Sequence, residues 1–256
     1  MGPGWFGDTL PCVSTDSFAD ASRLEGVPSA FAATRDGIDS LLRDRGLRRS
    51  SPETTGESLL RGASATAALE GSAYDVDALR SGEGDALALA TVRLSTELLG
   101  LVPVWERAPL QALARLHAIV AAGRADTADL GRPVDPHGVQ RLRKLAQDVG
   151  RPTEAPGLVV AAIVHAEVAA AGAFCSDNAI VARAAERIVM VAKGVDPASV
   201  TVPESGHAQA PNAYAQALTA YAEGSQAGLQ QWLLYAADAA ARGAEATPLE
   251  PPRRRG

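Results

Sequence analysis

Apolar positions along this chain recur every three to four residues far more often than every second one, and that spacing predicts helices. Phe31, Ile38, Leu41, Leu42 and Leu47 mark one from Ser29 to Arg48, ending near Gly46. Ser50-Ser-Pro-Glu-Thr-Thr-Gly reads as a linker with helix-start chemistry, and a helix from Leu59 to Glu70 follows, stopped by Gly71. Gly82-Glu-Gly-Asp opens a helix from Ala86 to Leu99. Pro103 then restarts the chain, and Trp105 to Ala122 form another helix ending at Gly123. Val139 to Val149, Gly157 to Ala171, Asn178 to Lys193, Asn212 to Glu223 and Ser225 to Ala241 complete the set. The 157–171 run is apolar all round, as a core helix is. It is shorter than the roughly 20 apolar residues a bilayer requires.

Residues 1–27 show no periodicity and read as a flexible arm, without the basic and apolar regions of a signal peptide. Residues 28–243 read as one helical domain and 244–256 as a disordered tail. The longest internal break is 123–138, a length that often marks a functional loop.

Composition sharpens this picture. Alanine makes up about a fifth of the chain, which favours helices packed close together. The chain is 46% hydrophobic, enough for a sizeable core. Thirty acidic against 24 basic residues give a net charge of -6, arguing against a nucleic-acid groove or a polybasic membrane contact. Two cysteines, Cys12 and Cys175, suit a reducing, cytoplasmic setting rather than a disulfide scaffold.

Candidate chemistry gathers around residue 174. Phe174-Cys-Ser-Asp-Asn leads straight into a helix, whose converging N–H groups can hold an anion. Alternatively Ser176 or Asp177 caps that helix, and the Asp177 carboxylate would repel phosphate. Arg183 and Arg187 lie at i, i+4 in small apolar company; a buried arginine there needs an acidic partner, whereas a surface one snorkels over the alanines. Glu70, alone at the end of an alanine-rich helix, is one such acid, or else solvated. His165, on the most apolar helix, reads as a satisfied core residue. No metal spacing, nucleophile elbow, P-loop or dinucleotide fingerprint is present, so no metal or cofactor is expected.

Taken together, Ala161 to Arg183 resembles the core of a Fic (Fido) domain, whose pattern is H-x-x-F-x-x-I-H-P-F-x-D-G-N-G-R-x-x-R. Aligned without gaps, His165, Phe174, Asn178 and Arg183 coincide with it. Thr66-x-x-x-Glu70-Gly71 resembles the family's inhibitory helix, here about 59–71, with the core about 157–194. Gly131-Arg-Pro-Val-Asp-Pro resembles its substrate-clamping flap, which implies at most one short β-hairpin within 129–138 of an otherwise all-α bundle. The sequences around Tyr214 and Trp232 resemble its C-terminal helices. The resemblance implies that Glu70 bonds Arg183 and blocks the place of a nucleotide γ-phosphate, and the family's habit of dimerising implies a homodimer.

The departures fall on the chemistry. The family's catalytic histidine position holds Gly172, its metal-binding acid Ser176, its first loop glycine Asp177 and its first arginine Ile180. General-base action is worth about 10²–10⁴-fold in rate. The resemblance therefore implies a degenerate Fic-fold binding or regulatory module for an unidentified protein or small ligand. The alternative is a divergent nucleotidyl transferase using ATP and Mg²⁺ with another base, and a third reading is an unrelated alanine-rich helical domain.

Overall fold

A computed structural model describes residues 16–45 and 50–250. Among these the regular elements are thirteen α-helices and short 3₁₀ turns, with no strand. In chain order they are α1 (Ser17–Ser22), α2 (Val27–Asp44), α3 (Pro52–Leu69), α4 (Val76–Arg80), α5 (Ala86–Leu98), α6 (Val102–Arg107), α7 (Pro109–Ala121), α8 (Pro136–Val149), α9 (Gly157–Ala171), α10 (Asn178–Ala192), α11 (Pro203–Ala208), α12 (Pro211–Ala222) and α13 (Gln226–Glu245).

The centre is the pair α9 and α10, which pack against each other more extensively than any other two helices. α9 buries residues on every side, from Leu158 to Ala171, because α8, α10, α12 and α13 surround it. Trp232 of α13 is fully buried and donates its indole N–H to the Ala162 carbonyl at 2.8 Å, fixing that crossing. α3 packs on α5 and α11, closing one side of the bundle. The helix starts carry side-chain caps where the sequence offers them: Ser51, Asp75, Asp85, Asp135 and Ser225 each accept from a first-turn N–H.

Several expectations need correction. Of the expected arm, residues 1–15 lie outside the described residues, but Ser17–Ser22 is helical and buries Phe18. The Ser50–Gly56 linker is mostly the start of α3, because Ser51 caps it and Pro52 fits its first turn. The Trp105–Ala122 helix is broken at Ala108, where Pro109 has no N–H to continue α6 and instead starts α7. The short helices α4 and α11 were not anticipated. The all-α expectation holds, and its optional hairpin within 129–138 is absent: the Val134 N–H donates to the Ala173 carbonyl at 2.8 Å, and Pro136 already begins α8. Of the expected tail, α13 runs on to Glu245 and Thr247 and Leu249 are buried, while 251–256 lie outside the described residues.

By length and composition alone, Ala86–Arg107 is apolar enough to cross a membrane. It is interrupted by a 3₁₀ turn at Leu99–Leu101, and α5 lies against α3 and α7.

Candidate functional site

The loop joining α9 to α10 is held from three directions. Gly172 ends α9 in a left-handed conformation (φ 52°), and a Cβ placed there would meet nothing within 4 Å. Ala173 is buried, and its carbonyl receives the 134–135 backbone. Asn178 closes the loop on itself: its Oδ1 accepts from the Phe174 N–H at 3.0 Å, and its Nδ2 donates to the Phe174 carbonyl at 2.9 Å. Phe174 stacks on His117 of α7, with ring centroids 4.4 Å apart and planes 10° off parallel.

Neither Ser176 nor Asp177 caps α10. Asp177 stands at the cap position in a left-handed conformation (φ 57°), with no side-chain bond to the helix. Its carboxylate instead accepts from Arg124 Nη1 at 2.9 Å and from Ser176 Oγ at 2.8 Å. The negative charge at the helix start is thus the protein's own, neutralised by Arg124. Ile180 is 1% exposed and lines a small cleft with Thr66, Gly62 and Ala63 of α3.

His117, fully buried, packs directly against this loop. Its Nδ1 accepts the Gly131 N–H at 3.0 Å, so the neutral ring carries its proton on Nε2, which faces Cys175 Sγ at 3.9 Å. Burial pushes its pKa down.

Glu70 and Arg183, 113 residues apart, meet: Arg183 Nη2 donates to Glu70 Oε1 at 2.5 Å. The partners are unequal, since the Arg183 side chain is 1% exposed and that of Glu70 32%. Glu70 follows the last turn of α3 and Gly71 turns the chain away in a left-handed conformation (φ 90°), while Thr66 is buried one turn earlier. Arg183 Nη1 also donates to the Tyr214 hydroxyl at 3.3 Å, and its Nε has no partner. Burial works against the Arg183 charge, but Tyr214 and Glu70 hold its pKa above the ordinary value. Arg187 does not snorkel: it is buried, with Glu204 accepting from its Nε at 2.8 Å and from its Nη2.

His165 is fully buried and satisfied, as expected of a core residue. Its Nδ1 lies 2.6 Å from Glu186 Oε2 and its Nε2 2.8 Å from the Tyr214 hydroxyl. The same Glu186 oxygen lies 2.9 Å from His207 Nε2, and His207 Nδ1 lies 3.1 Å from the Tyr235 hydroxyl. Burial alone pushes the Glu186 carboxyl up, but His207 and His165 hold it well below the usual carboxylate range. Burial pushes His165 down to about 4.

Of the residues singled out from sequence, the fold brings Thr66, Glu70, Ile180 and Arg183 to one side of α10 and the Gly172–Asn178 loop to its start. Sequence reasoning missed His117, Arg124, Glu186, His207 and Tyr235, because each is defined by partners 14 to 58 residues away, in other helices or in loops. The only local signal was Glu186 between the two arginines.

The fold is similar to that of a Fic family protein from Desulfovibrio desulfuricans G20, at 16% identity and a TM-score of 0.69, covering 85% of this chain and 74% of that one. It is also similar to Fic-1 from C. elegans, at 16% identity and a TM-score of 0.61, covering 85% of this chain and 72% of that one. No protein-family model and no curated protein matches the sequence.

Proposed function

Because the chain has a Fic-like helical fold, we propose that it serves as a binding or regulatory module that does not carry out adenylyl transfer. The observation that carries this reading is the α9–α10 loop. Gly172, Ser176 and Ile180 stand where the resemblance expects a general base, a metal-binding acid and a phosphate-binding arginine. Phosphoryl transfer relies on positioning and charge neutralisation, which such groups supply.

Two groups beside the loop, His117 and Asp177, are the first candidates for a replacement, and neither fits. His117 is fully buried and its Nδ1 accepts from Gly131, so its neutral form offers no free basic nitrogen to a substrate hydroxyl. Ile180 is buried, and Asp177 brings a carboxylate to the helix start where a phosphate would need positive charge. The Glu70–Arg183 bond supports descent from a self-inhibited arrangement, with the pair retained as a structural link between α3 and α10.

A small-molecule partner has a place to bind. A cleft of about 410 Å³ lined by Phe18, Arg141, Glu167, Tyr221 and Leu229 falls within the usual range for ligand sites.

The competing reading is a divergent transferase using ATP and Mg²⁺. It is favoured by Arg183 Nε, a buried donor with no partner. Calorimetric titration of ATP with and without Mg²⁺, on the native chain and on Glu70→Gly, separates the two. The proposal expects no Mg²⁺-dependent binding in either protein. Binding that tightens at least tenfold with Mg²⁺ and is lost in Arg183→Ala would overturn it.

A further inference from the structure

Away from the α9–α10 loop, three helices deliver one potential ligand each to a single point in the core: His165 from α9, Glu186 from α10 and His207 from α11. Their ligand atoms all lie within 4.8 Å of one another, and all three residues are buried. We propose that His165 Nδ1, His207 Nε2 and the Glu186 carboxylate form a buried site for one divalent transition-metal ion of the zinc class. This site is independent of the loop chemistry discussed above.

The donor set argues for that class of ion. Two imidazole nitrogens and one carboxylate suit zinc, cobalt or iron, whereas magnesium and calcium prefer all-oxygen shells. Metal–nitrogen and metal–oxygen bonds of about 2.0–2.2 Å place neighbouring tetrahedral ligands about 3.3 Å apart. The two N···O separations here are 2.6 and 2.9 Å. Admitting an ion therefore means opening these contacts by about 0.7 and 0.4 Å and drawing the two imidazole nitrogens, up to 4.8 Å apart, to about 3.3 Å, a movement of both rings about the carboxylate.

The outer nitrogen of each ring is already held. The Tyr214 hydroxyl faces His165 Nε2 at 2.8 Å, and the Tyr235 hydroxyl faces His207 Nδ1 at 3.1 Å. Metal-binding histidines depend on such partners, which fix ring orientation and tautomer. With Glu186 accepting from both imidazoles, the tyrosine hydroxyls donate to the outer nitrogens. With an ion between the rings the tautomers invert and the hydroxyls accept, so two neutral rings lose no net proton. Trp232 packs across His165 with ring centroids 5.1 Å apart and stacks with His207 at 6.3 Å, walling the point with apolar surface.

Charge points the same way. Glu186 is a buried carboxylate, yet the two arginines of its own helix are bound elsewhere, Arg183 to Glu70 and Arg187 to Glu204. The two imidazoles alone hold this carboxylate ionised, and a divalent ion seated between them would take over that role. Three protein ligands leave a fourth position for water.

Because the site is enclosed, the test uses the full chain unfolded in denaturant with chelator, then refolded with Co²⁺ and desalted. The expected result is one Co²⁺ retained per chain, with the strong visible absorption of four-coordinate cobalt. His207→Gln keeps a donor toward Glu186 but removes the nitrogen ligand; it is expected to refold, by circular dichroism, and to retain none. Tyr235→Phe removes only the outer partner of His207 and is expected to bind about 10–100-fold more weakly. Should His207→Gln not refold, the Tyr235→Phe weakening and the native stoichiometry carry the test. A refolded native chain retaining under a tenth of an equivalent, or retention unchanged in His207→Gln or in Tyr235→Phe, would overturn the assignment and leave a purely hydrogen-bonded cluster.

Discussion

Arg183 is enclosed while Glu70 keeps about a third of its side chain in water, so truncating either one has a different consequence. Glu70→Ala leaves a buried guanidinium bonded to Tyr214 alone. Its expected cost is about 2 kcal/mol, between the roughly 0.2–1 of an exposed pair and the roughly 3–5 of a buried one. Arg183→Ala also empties a fully packed position and should cost more, about 3 kcal/mol. The double mutant should cost less than the sum by at least about 0.5 kcal/mol. Thermal unfolding of the three variants checks this, and strictly additive shifts would mean that the contact contributes nothing.

His165 gives a second prediction at this scale. The groups facing it are Glu186, His207, Tyr214 and Arg183. Its folded pKa of about 4 lies below the roughly 6.5 of an exposed imidazole, so between those values the unfolded chain binds a proton that the folded chain refuses. Stability of the metal-free chain should therefore be full above about pH 6.5 and fall on acidification by up to about 1.4 kcal/mol per unit from this one group. Glu186, held ionised, adds a further loss below about pH 4.5, where the unfolded carboxyl takes up its proton first. Urea midpoints at pH 7, 5.5 and 4.5 should drop progressively, and His165→Gln should flatten the upper part of that slope. Equal slopes for the two proteins would contradict the burial argument.

At the scale of elements, close helix crossings rest on residues without side chains. A Cβ on Gly206 of α11 would stand 2.0 Å from the Ala239 carbonyl oxygen of α13, which is backbone and cannot swing aside. Gly206→Ala should therefore push α11 from α13 and destabilise by about 1–3 kcal/mol or more. Gly56→Ala, on the exposed side of α3 with nothing within 4 Å, should stabilise by about 0.5–1 kcal/mol through helix propensity. Denaturant midpoints moving in opposite directions would bear this out, and a neutral Gly206→Ala would refute the crossing.

The same elements show how far the sequence could be read. α9 was legible to the residue because it is apolar on all sides and flanked by Pro156 and Gly172. Gly71 and Gly123 mark helix ends in the sequence, and both adopt positive φ. α4 and α11, of five and six residues, carry too few turns for a periodic signal. The α6–α7 break was hidden because apolar spacing runs on across Ala108. Glu70 meeting Arg183 could be anticipated only through the family pattern, since 113 residues separate them. The Glu186 cluster had no such guide: each of its histidines is 21 residues away, on a different helix. The 129–138 segment leaves room in the sequence for one short hairpin, but the Val134 and Asp135 N–H groups go to Ala173 rather than to a facing strand.

For the whole molecule, a Fic-like helical bundle surrounds a loop whose residues differ from the family pattern it resembles. The helices that frame the loop are set by apolar burial and close packing, which tolerate wide sequence change. In the proposed reading the chemistry rests on three positions, and Gly172, Ser176 and Ile180 occupy them. On that reading the fold is kept without the reaction. The most direct test incubates purified Glu70→Gly with labelled ATP, Mg²⁺ and a protein extract, because removing Glu70 would free Arg183 in any competent member. The account predicts that neither the chain itself nor any added protein becomes labelled above the native background. Robust labelling by Glu70→Gly, abolished when Arg183→Ala is added, would contradict it.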